Sequence, residues 1–183
     1  PISVTVRPSL NRSAIRQGRL EEARRRRTGS VGFSRSGTKV DAEGKISLTP
    51  EKIALQFGQQ AAPATVLDAC CGAGGNAIGF ARAGCSVIAI DTNASRLALA
   101  KHNAKRYNVH RSITFRHDDA RRFCQHQKAD LLFIDPPWGD WDPTTCVVAD
   151  FPLLVALLRA PDLHDRFPNI WIKVPTSFDP ESI

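Results

Sequence analysis

The sequence predicts an α/β fold, a Rossmann-like, doubly wound and mostly parallel sheet, preceded by a basic N-terminal extension. Three observations predict it. From residue 64 onward, short apolar runs of strand length alternate with helical patterns, which is how βαβ units read. The first of these runs opens into a glycine-rich loop, Asp68-Ala69-Cys70-Cys71-Gly72-Ala73-Gly74-Gly75-Asn76, and then a helical pattern. The surplus positive charge is confined to the leading segment: residues 1–45 hold 11 basic and 4 acidic side chains, and residues 46–183 hold 14 of each.

Taken in order, residues 1–45 read as a basic arm with a short helix near 13–27. Thr49-Pro50-Glu51 predicts a helix start, with Thr49 as N-cap and Pro50 in the first position, running to about residue 60. Residues 65–69 predict a buried strand, 76–83 a helix ended by Gly84, and 86–90 a second strand. Residues 93–107 predict a helix with Leu97, Ala100, Ala104 and Tyr107 on its apolar stripe and Arg96, Lys101 and Lys105 toward water. Strands over 112–116, 130–134 and 170–174 complete a sheet of five, and a further helix is expected around 120–125. The domain organisation expected is the arm over 1–45 and a catalytic domain over 46–183.

Composition narrows the class. No stretch reaches the roughly 18 to 20 apolar residues of a membrane-spanning helix. The 5 cysteines are odd in number and lack CxxC spacing, so neither a disulfide scaffold nor a zinc ribbon is expected, and no other metal site; a reducing intracellular compartment follows. The run Arg24-Arg25-Arg26-Arg27 suits a phosphate backbone. A nuclear-import signal, a presequence remnant and a solvated arm are the other readings of that run, with Glu21 and Glu22 arguing against a transit peptide. The chain begins at Pro1 and has no methionine, so a piece of a longer protein is expected.

In a doubly wound sheet the ligand sits at the carboxyl ends of the strands, and each end here is informative. Gly72 and Gly74 let the backbone turn and approach a ligand closely; Gly72-x-Gly74-x-x-Ala77 also fits a dinucleotide fingerprint. Asp68, four residues before the first glycine, can meet an ammonium group. Asp91, ending the second strand, can accept the hydroxyls of a ribose. Ammonium plus ribose describes S-adenosyl-L-methionine better than a dinucleotide, whose pyrophosphate would face an acidic wall. Cys70 and Asn76, in the same loop, complete the cofactor-binding candidates there. After the third strand, Asp119, favoured over Asp118, is a candidate acceptor for an adenine amine, or an N-cap.

The fourth strand ends in Asp135-Pro136-Pro137-Trp138-Gly139. Paired prolines cannot extend a ladder and force a stiff turn. The Asp135 carboxylate and the Pro136 carbonyl can hold the hydrogens of an exocyclic amine in line with a sulfonium methyl. Trp138 can stack on the flat base, worth about 1–3 kcal/mol. Asp135, Pro136 and Trp138 are therefore the catalytic candidates.

These residues resemble a known family. Ser47-Leu48-Thr49-Pro50-Glu51-Lys52-Ile53-Ala54, the 66–76 loop, Ile88-Ala89-Ile90-Asp91 and Pro136-Pro137-Trp138-Gly139 are similar to the trimethylguanosine synthases, the RNA cap guanine-N2 methyltransferases. Phe33-Ser34-Arg35, Lys39-Val40-Asp41 and Glu43-Gly44 resemble the segment before that family's core. The resemblance implies a class I S-adenosyl-L-methionine-dependent methyltransferase in which Asp68, Gly72, Asp91 and Asp119 hold the cofactor, with Ser47 and Thr49 near its methionine end. It further implies 7-methylguanine on Trp138, Asn103 and residue 135 at the guanine edge, and Lys39 for the cap phosphates. Asn103 read on its own could equally be a solvated polar residue. Asp135 stands where the family usually has serine, and Lys45-Ile46 where it has an aromatic. The family's sheet also has two strands beyond the fifth, so a C-terminally truncated domain is expected.

The function expected is methyl transfer to the N2 amine of guanine in RNA, on a cap-like substrate. The alternatives are an amino-methyltransferase acting on a base of ribosomal or transfer RNA, and a catalytically silent RNA-binding or ribosome-assembly module of the same fold. The expected partners are capped or structured RNA and a ribonucleoprotein complex, without a membrane, in the nucleus or cytoplasm, with the mitochondrion as the other location.

Overall fold

The computed structural model describes residues 4–8, 32–137 and 146–183. Six strands form one sheet: β1 (Val4–Pro8), β2 (Thr65–Asp68), β3 (Ser86–Asp91), β4 (Ile113–His117), β5 (Leu131–Ile134) and β6 (Asn169–Val174). Their order is β1-β6-β5-β2-β3-β4, and every pairing is parallel. The chain winds outward from β2 to β3 and β4, then returns to β5 on the other side of β2. That reversal puts the topological switch point between β2 and β5, where an open α/β sheet leaves a crevice at its carboxyl edge.

The sequence reading expected five strands, and the sixth corrects it. Val4–Pro8 lies in the segment read as an arm, yet pairs with β6 in the register Val4↔Ile170 to Pro8↔Val174. Its Val-Thr-Val start is β-favouring, but five residues are too few for periodicity to stand out. The helix expected near 13–27 lies outside the described residues.

Helices cover both faces: α1 (Gly44–Ser47), α2 (Glu51–Ala61), α3 (Gly75–Arg82), α4 (Ala94–Arg106), α5 (Ala120–Phe123), α6 (Pro152–Leu158) and α7 (Leu163–Arg166). Alternation along the strands divides the core. Val66, Val87 and Phe133 pack toward Phe80 and α4, whereas Leu67, Ile90, Leu132 and Ile134 pack toward Leu154, Leu157 and Phe167. Phe80 and Phe133 meet edge to face at 5.2 Å between centroids. Each such side chain, fully buried, contributes about 1.5–3 kcal/mol.

α2 begins one residue later than expected. Pro50 is extended at ψ 136° and serves as the N-cap, while the Glu51 N–H reaches back to the Gly32 carbonyl at 3.1 Å. The Thr49 hydroxyl is left out of the cap and is buried instead. α2 crosses α3 with backbones nearly touching: a Cβ at Gly79 would run into the Ala54 carbonyl, and one at Gly58 into the Gly79 carbonyl. Glycine at the crossing is what lets α3 sit close enough to carry the loop ahead of it.

The stripe of α4 is buried as predicted, with Leu97, Ala100 and Ala104 at 2% exposure or less. Arg96, expected to face water, is instead held by Asp41 at 2.7 Å and by Glu43. The segment ahead of α1 is anchored alongside. Phe33 packs on Tyr107, whose hydroxyl donates to Glu51 at 2.6 Å and accepts from the Ser34 and Arg35 amides at 3.1 and 3.2 Å. Arg35 and Arg82 both lie over the same ring, at 5.3 and 5.1 Å. Among the described residues no helix is long and apolar enough to cross a membrane.

Candidate active site

The carboxyl ends of β5, β2 and β3, three neighbouring strands, each deliver an aspartate: Asp135, Asp68 and Asp91. Asp68 is wholly buried, and among the described residues neither carboxylate oxygen has a hydrogen-bond partner. Loss of water, then the charge of Asp135, push its pKa up to about 8; the amides of Cys70 and Ala77 lie nearby and offset this only in part. A carboxylate so placed asks for a cation.

The loop after β2 is fixed by Asp91. Its Oδ2 accepts from the Gly72 amide at 2.8 Å and its Oδ1 from the Asn93 amide at 2.8 Å, which among the described residues leaves each oxygen a second lone pair. Gly74, at φ 89°, is the left-handed residue before α3, and a Cβ there would meet Ala100 of α4 at 3.0 Å. Only glycine combines that conformation with that closeness. Cys70 is half-buried, and burial followed by the charge of Asp68 pushes its thiol well up, so it remains a neutral, inert thiol.

Four buried side-chain polar atoms lack a partner among the described residues: Thr49 Oγ1, both oxygens of Asp68, and Asn76 Oδ1. All three residues were singled out from the sequence as cofactor-binding. Buried polar atoms are ordinarily satisfied, so orphans gathered on residues already chosen for ligand contact fit a polar ligand. Ammonium, carboxylate and hydroxyl groups, as on an amino-acid nucleoside, match a carboxylate, a hydroxyl and an amide acceptor.

Asp135 follows the last residue of β5. Its Oδ2 accepts from Asn76 Nδ2 at 3.0 Å, and Lys173, at the end of β6, reaches both its oxygens at 2.9 and 2.8 Å. Pro136 is buried and Pro137 exposed. Trp138 lies outside the described residues. Lys173 was missed by the sequence reading, although a lone lysine ending the apolar run Ile170-Trp171-Ile172 was a visible signal.

Other candidates fall elsewhere or serve otherwise. Ser47 is exposed on α1, donating to the Glu43 carbonyl at 3.1 Å, and is not among the buried strand-end groups. Asp119 caps α5 through the Arg121 amide at 2.8 Å and is ion-paired with the Arg121 guanidinium, which holds its carboxyl below the usual range. Asp118 pairs with Arg122 at 2.6 Å. Asn103 is neither solvated nor free at a guanine edge. It is wholly buried, accepting from the Lys39 amide at 2.8 Å and donating to the carbonyls of Lys39 at 2.8 Å and Ala73 at 2.9 Å. Those bonds consume its amide and tie Lys39, whose side chain is exposed, to the glycine loop. Among the described residues no cluster of His, Cys, Asp and Glu could hold a metal ion.

The chain is similar to several known proteins. A trimethylguanosine synthase of Schizosaccharomyces pombe is 35% identical over 120 residues, which is 58% of this chain and 49% of that protein. One from Saccharomyces cerevisiae is 32% identical over 104 residues, 51% of this chain and 33% of that protein. The chain thus spans half or less of the length of these relatives. Among solved structures, a SAM-dependent methyltransferase from Agrobacterium tumefaciens is similar with a TM-score of 0.48 and 20% identity, over 75% of this chain and 44% of that one. The model of the RNA cap guanine-N2 methyltransferases matches residues 63–151, the stretch that carries the glycine loop, Asp91 and the Asp-Pro-Pro turn, and to that family this stretch is similar.

Proposed function

We propose that the chain binds S-adenosyl-L-methionine at the carboxyl ends of β2 and β3 and transfers its methyl group to the exocyclic N2 amine of guanine in RNA, on a cap-like end. The observation that carries this reading is the wholly buried Asp68 carboxylate beside the glycine loop, without a hydrogen-bond partner among the described residues, one strand away from the Asp135-Pro136-Pro137 turn. When bound, the cofactor supplies an electrophilic methyl on a sulfonium, passed to an amine lone pair while the carbon–sulfur electrons return to sulfur as a thioether.

The chain's own residues do the rest. Asp68 takes the ammonium, with Thr49 Oγ1 and Asn76 Oδ1 as further polar partners at the methionine end. The second lone pairs of Asp91 accept the ribose hydroxyls. Asp119 remains the candidate for the adenine amine, its carboxylate shared with Arg121. Asp135 and the Pro136 carbonyl accept the hydrogens of the target amine, so that its lone pair faces the methyl; fixed acceptors around a nitrogen gaining positive charge mirror an oxyanion hole. Trp138 stacks on the base. The methylated nitrogen is strongly acidic while cationic and releases its proton to water, so no dedicated base is needed. The exposed ammonium of Lys39, held at the glycine loop by Asn103, serves the phosphates of the RNA end.

One observation favours a second reading. Asp135, in place of the family's serine, is the pattern of general amino-methyltransferases, which suits an internal base of ribosomal or transfer RNA. Methyl transfer from labelled cofactor to matched capped and uncapped RNAs separates the two: preference for the capped strand supports the first, and equal labelling supports the second. RNA binding without cofactor binding would instead mark a silent module. The reading extends to a nuclear or cytoplasmic setting and a ribonucleoprotein substrate.

A further inference from the structure

The strand register that builds the crevice also brings a lysine into it. Ile134 lies opposite Ile172, so Asp135, just past β5, comes beside Lys173 near the carboxyl end of β6. Lys173 is 7% exposed, a burial that lysine tolerates only with a partner. Asp135 is a partner, with both of its oxygens within 2.9 Å of the ammonium. A carboxylate offers about four lone-pair directions. Lys173 occupies one on each oxygen, and Asn76 Nδ2 takes the second on Oδ2. Among the described residues a single acceptor site remains, on Oδ1.

We propose that Lys173 is a positioning and specificity-determining residue for the transfer. With Asn76 it fixes the Asp135 carboxylate in one orientation and offsets its charge, so that one lone pair is offered to a neutral amine. The inference rests on the methyl-transfer reading above. Its logic is electrostatic. Asp68, Asp91 and Asp135 converge on one edge of the sheet, and an unpaired Asp135 would favour a protonated alkyl amine, which has no lone pair to methylate. An ion pair presents an acceptor with little net charge. It therefore selects weakly basic aromatic amines, neutral at physiological pH, over lysine-like amines. The remaining site on Oδ1 matches one N–H of such an amine, and the Pro136 carbonyl can take the other.

The test uses the full chain, labelled cofactor and a capped RNA, with Lys173→Met, Asp135→Asn and the double variant. In Lys173→Met, cofactor affinity is expected to hold, because a positive charge has been removed from the site of a cationic ligand. Its kcat is expected to fall by about 30-fold or more, while the double variant, whose neutral amide needs no counter-ion, recovers to within about tenfold of wild type. A purely structural lysine would lower the melting temperature and leave kcat below melting unchanged, and that result would overturn the inference. Should Lys173→Met fail to fold, Asp135→Asn against the double variant decides. The single variant leaves an ammonium without its carboxylate beside the target amine and should be slower by about tenfold; equal rates overturn the inference. A wild-type chain inactive on every RNA removes the reading beneath it, and the inference falls with it.

Discussion

Asp68→Asn separates the cofactor-binding account from a merely structural aspartate, because the two predict opposite pH behaviour. Asp68 is wholly buried and titrates at about 8 in the folded chain, against about 3.9 when unfolded. Between those values the folded chain holds a proton that the unfolded chain has released, so stability falls as pH rises. One such group costs about 1.4 kcal/mol per pH unit, or about 3 kcal/mol between about pH 5 and pH 7. The asparagine variant has nothing to titrate at 68, so the wild-type curve should fall away from that of the variant by this amount. Chemical denaturation midpoints of the cofactor-free chain across this range read the difference. Binding shows the complementary effect. A cationic ligand needs the ionised form, so wild-type affinity should rise about tenfold per pH unit below 8, with nearly one proton released per ligand at about pH 6.5. Calorimetry in buffers of different ionisation enthalpy measures that proton. Asp68→Asn should bind at least about 30-fold more weakly, through loss of a buried charged hydrogen bond of about 2–3 kcal/mol, and release no proton. Parallel stability curves, or equal affinity in the variant, would refute the reasoning.

Further outcomes follow from particular contacts. Asp91→Ala removes the acceptors for the Gly72 and Asn93 amides and the expected ribose contact, and should weaken cofactor binding by about 30-fold or more in titration calorimetry. Tyr107→Phe deletes the hydroxyl that joins Glu51 to the Ser34 and Arg35 amides; a loss of about 1–3 kcal/mol in denaturant stability is expected, with cleavage by protease rising first within residues 32–39. Gly79→Ala forces a methyl into the Ala54 carbonyl and should cost about 2–3 kcal/mol of stability by thermal melting. Trp138→Ala should leave cofactor affinity intact and remove turnover on RNA, because stacking of the base is worth about 1–3 kcal/mol and also sets its orientation.

The central part of the fold was legible because it is made of parallel, two-sided burial. Val66-Leu67, Val87 to Ile90 and Leu131 to Ile134 are continuous apolar runs, and each ends in the aspartate that the sheet then delivers to its edge. The asparagine and glycines of the loop could be chosen for the same reason, since strand, turn and helix succeed each other without a gap. What could not be read is pairing across distant segments. Nothing near Asn103 in sequence says that it bonds to the backbone of Lys39, 64 residues away, so its own sequence context left it open as a solvated polar residue, and only the family resemblance placed it at a guanine edge. Arg96 looked solvated for the same reason, since its partners Asp41 and Glu43 lie in a loop. Lys173 needed the β5–β6 register before its closeness to Asp135 could be seen. Asp119 reads as a ligand acceptor, a cap or both; its hydrogen bond to the Arg121 amide shows the cap.

The most direct trial of the whole account is the identity of the nucleoside that receives the methyl group. The full chain, incubated with labelled S-adenosyl-L-methionine and a capped RNA, is followed by digestion to nucleosides and their chromatographic separation. The account predicts label on N2-methylated guanosine, at the cap. Label confined to adenosine, to a ring nitrogen or to protein, or RNA that stays unlabelled while the cofactor binds, would contradict it.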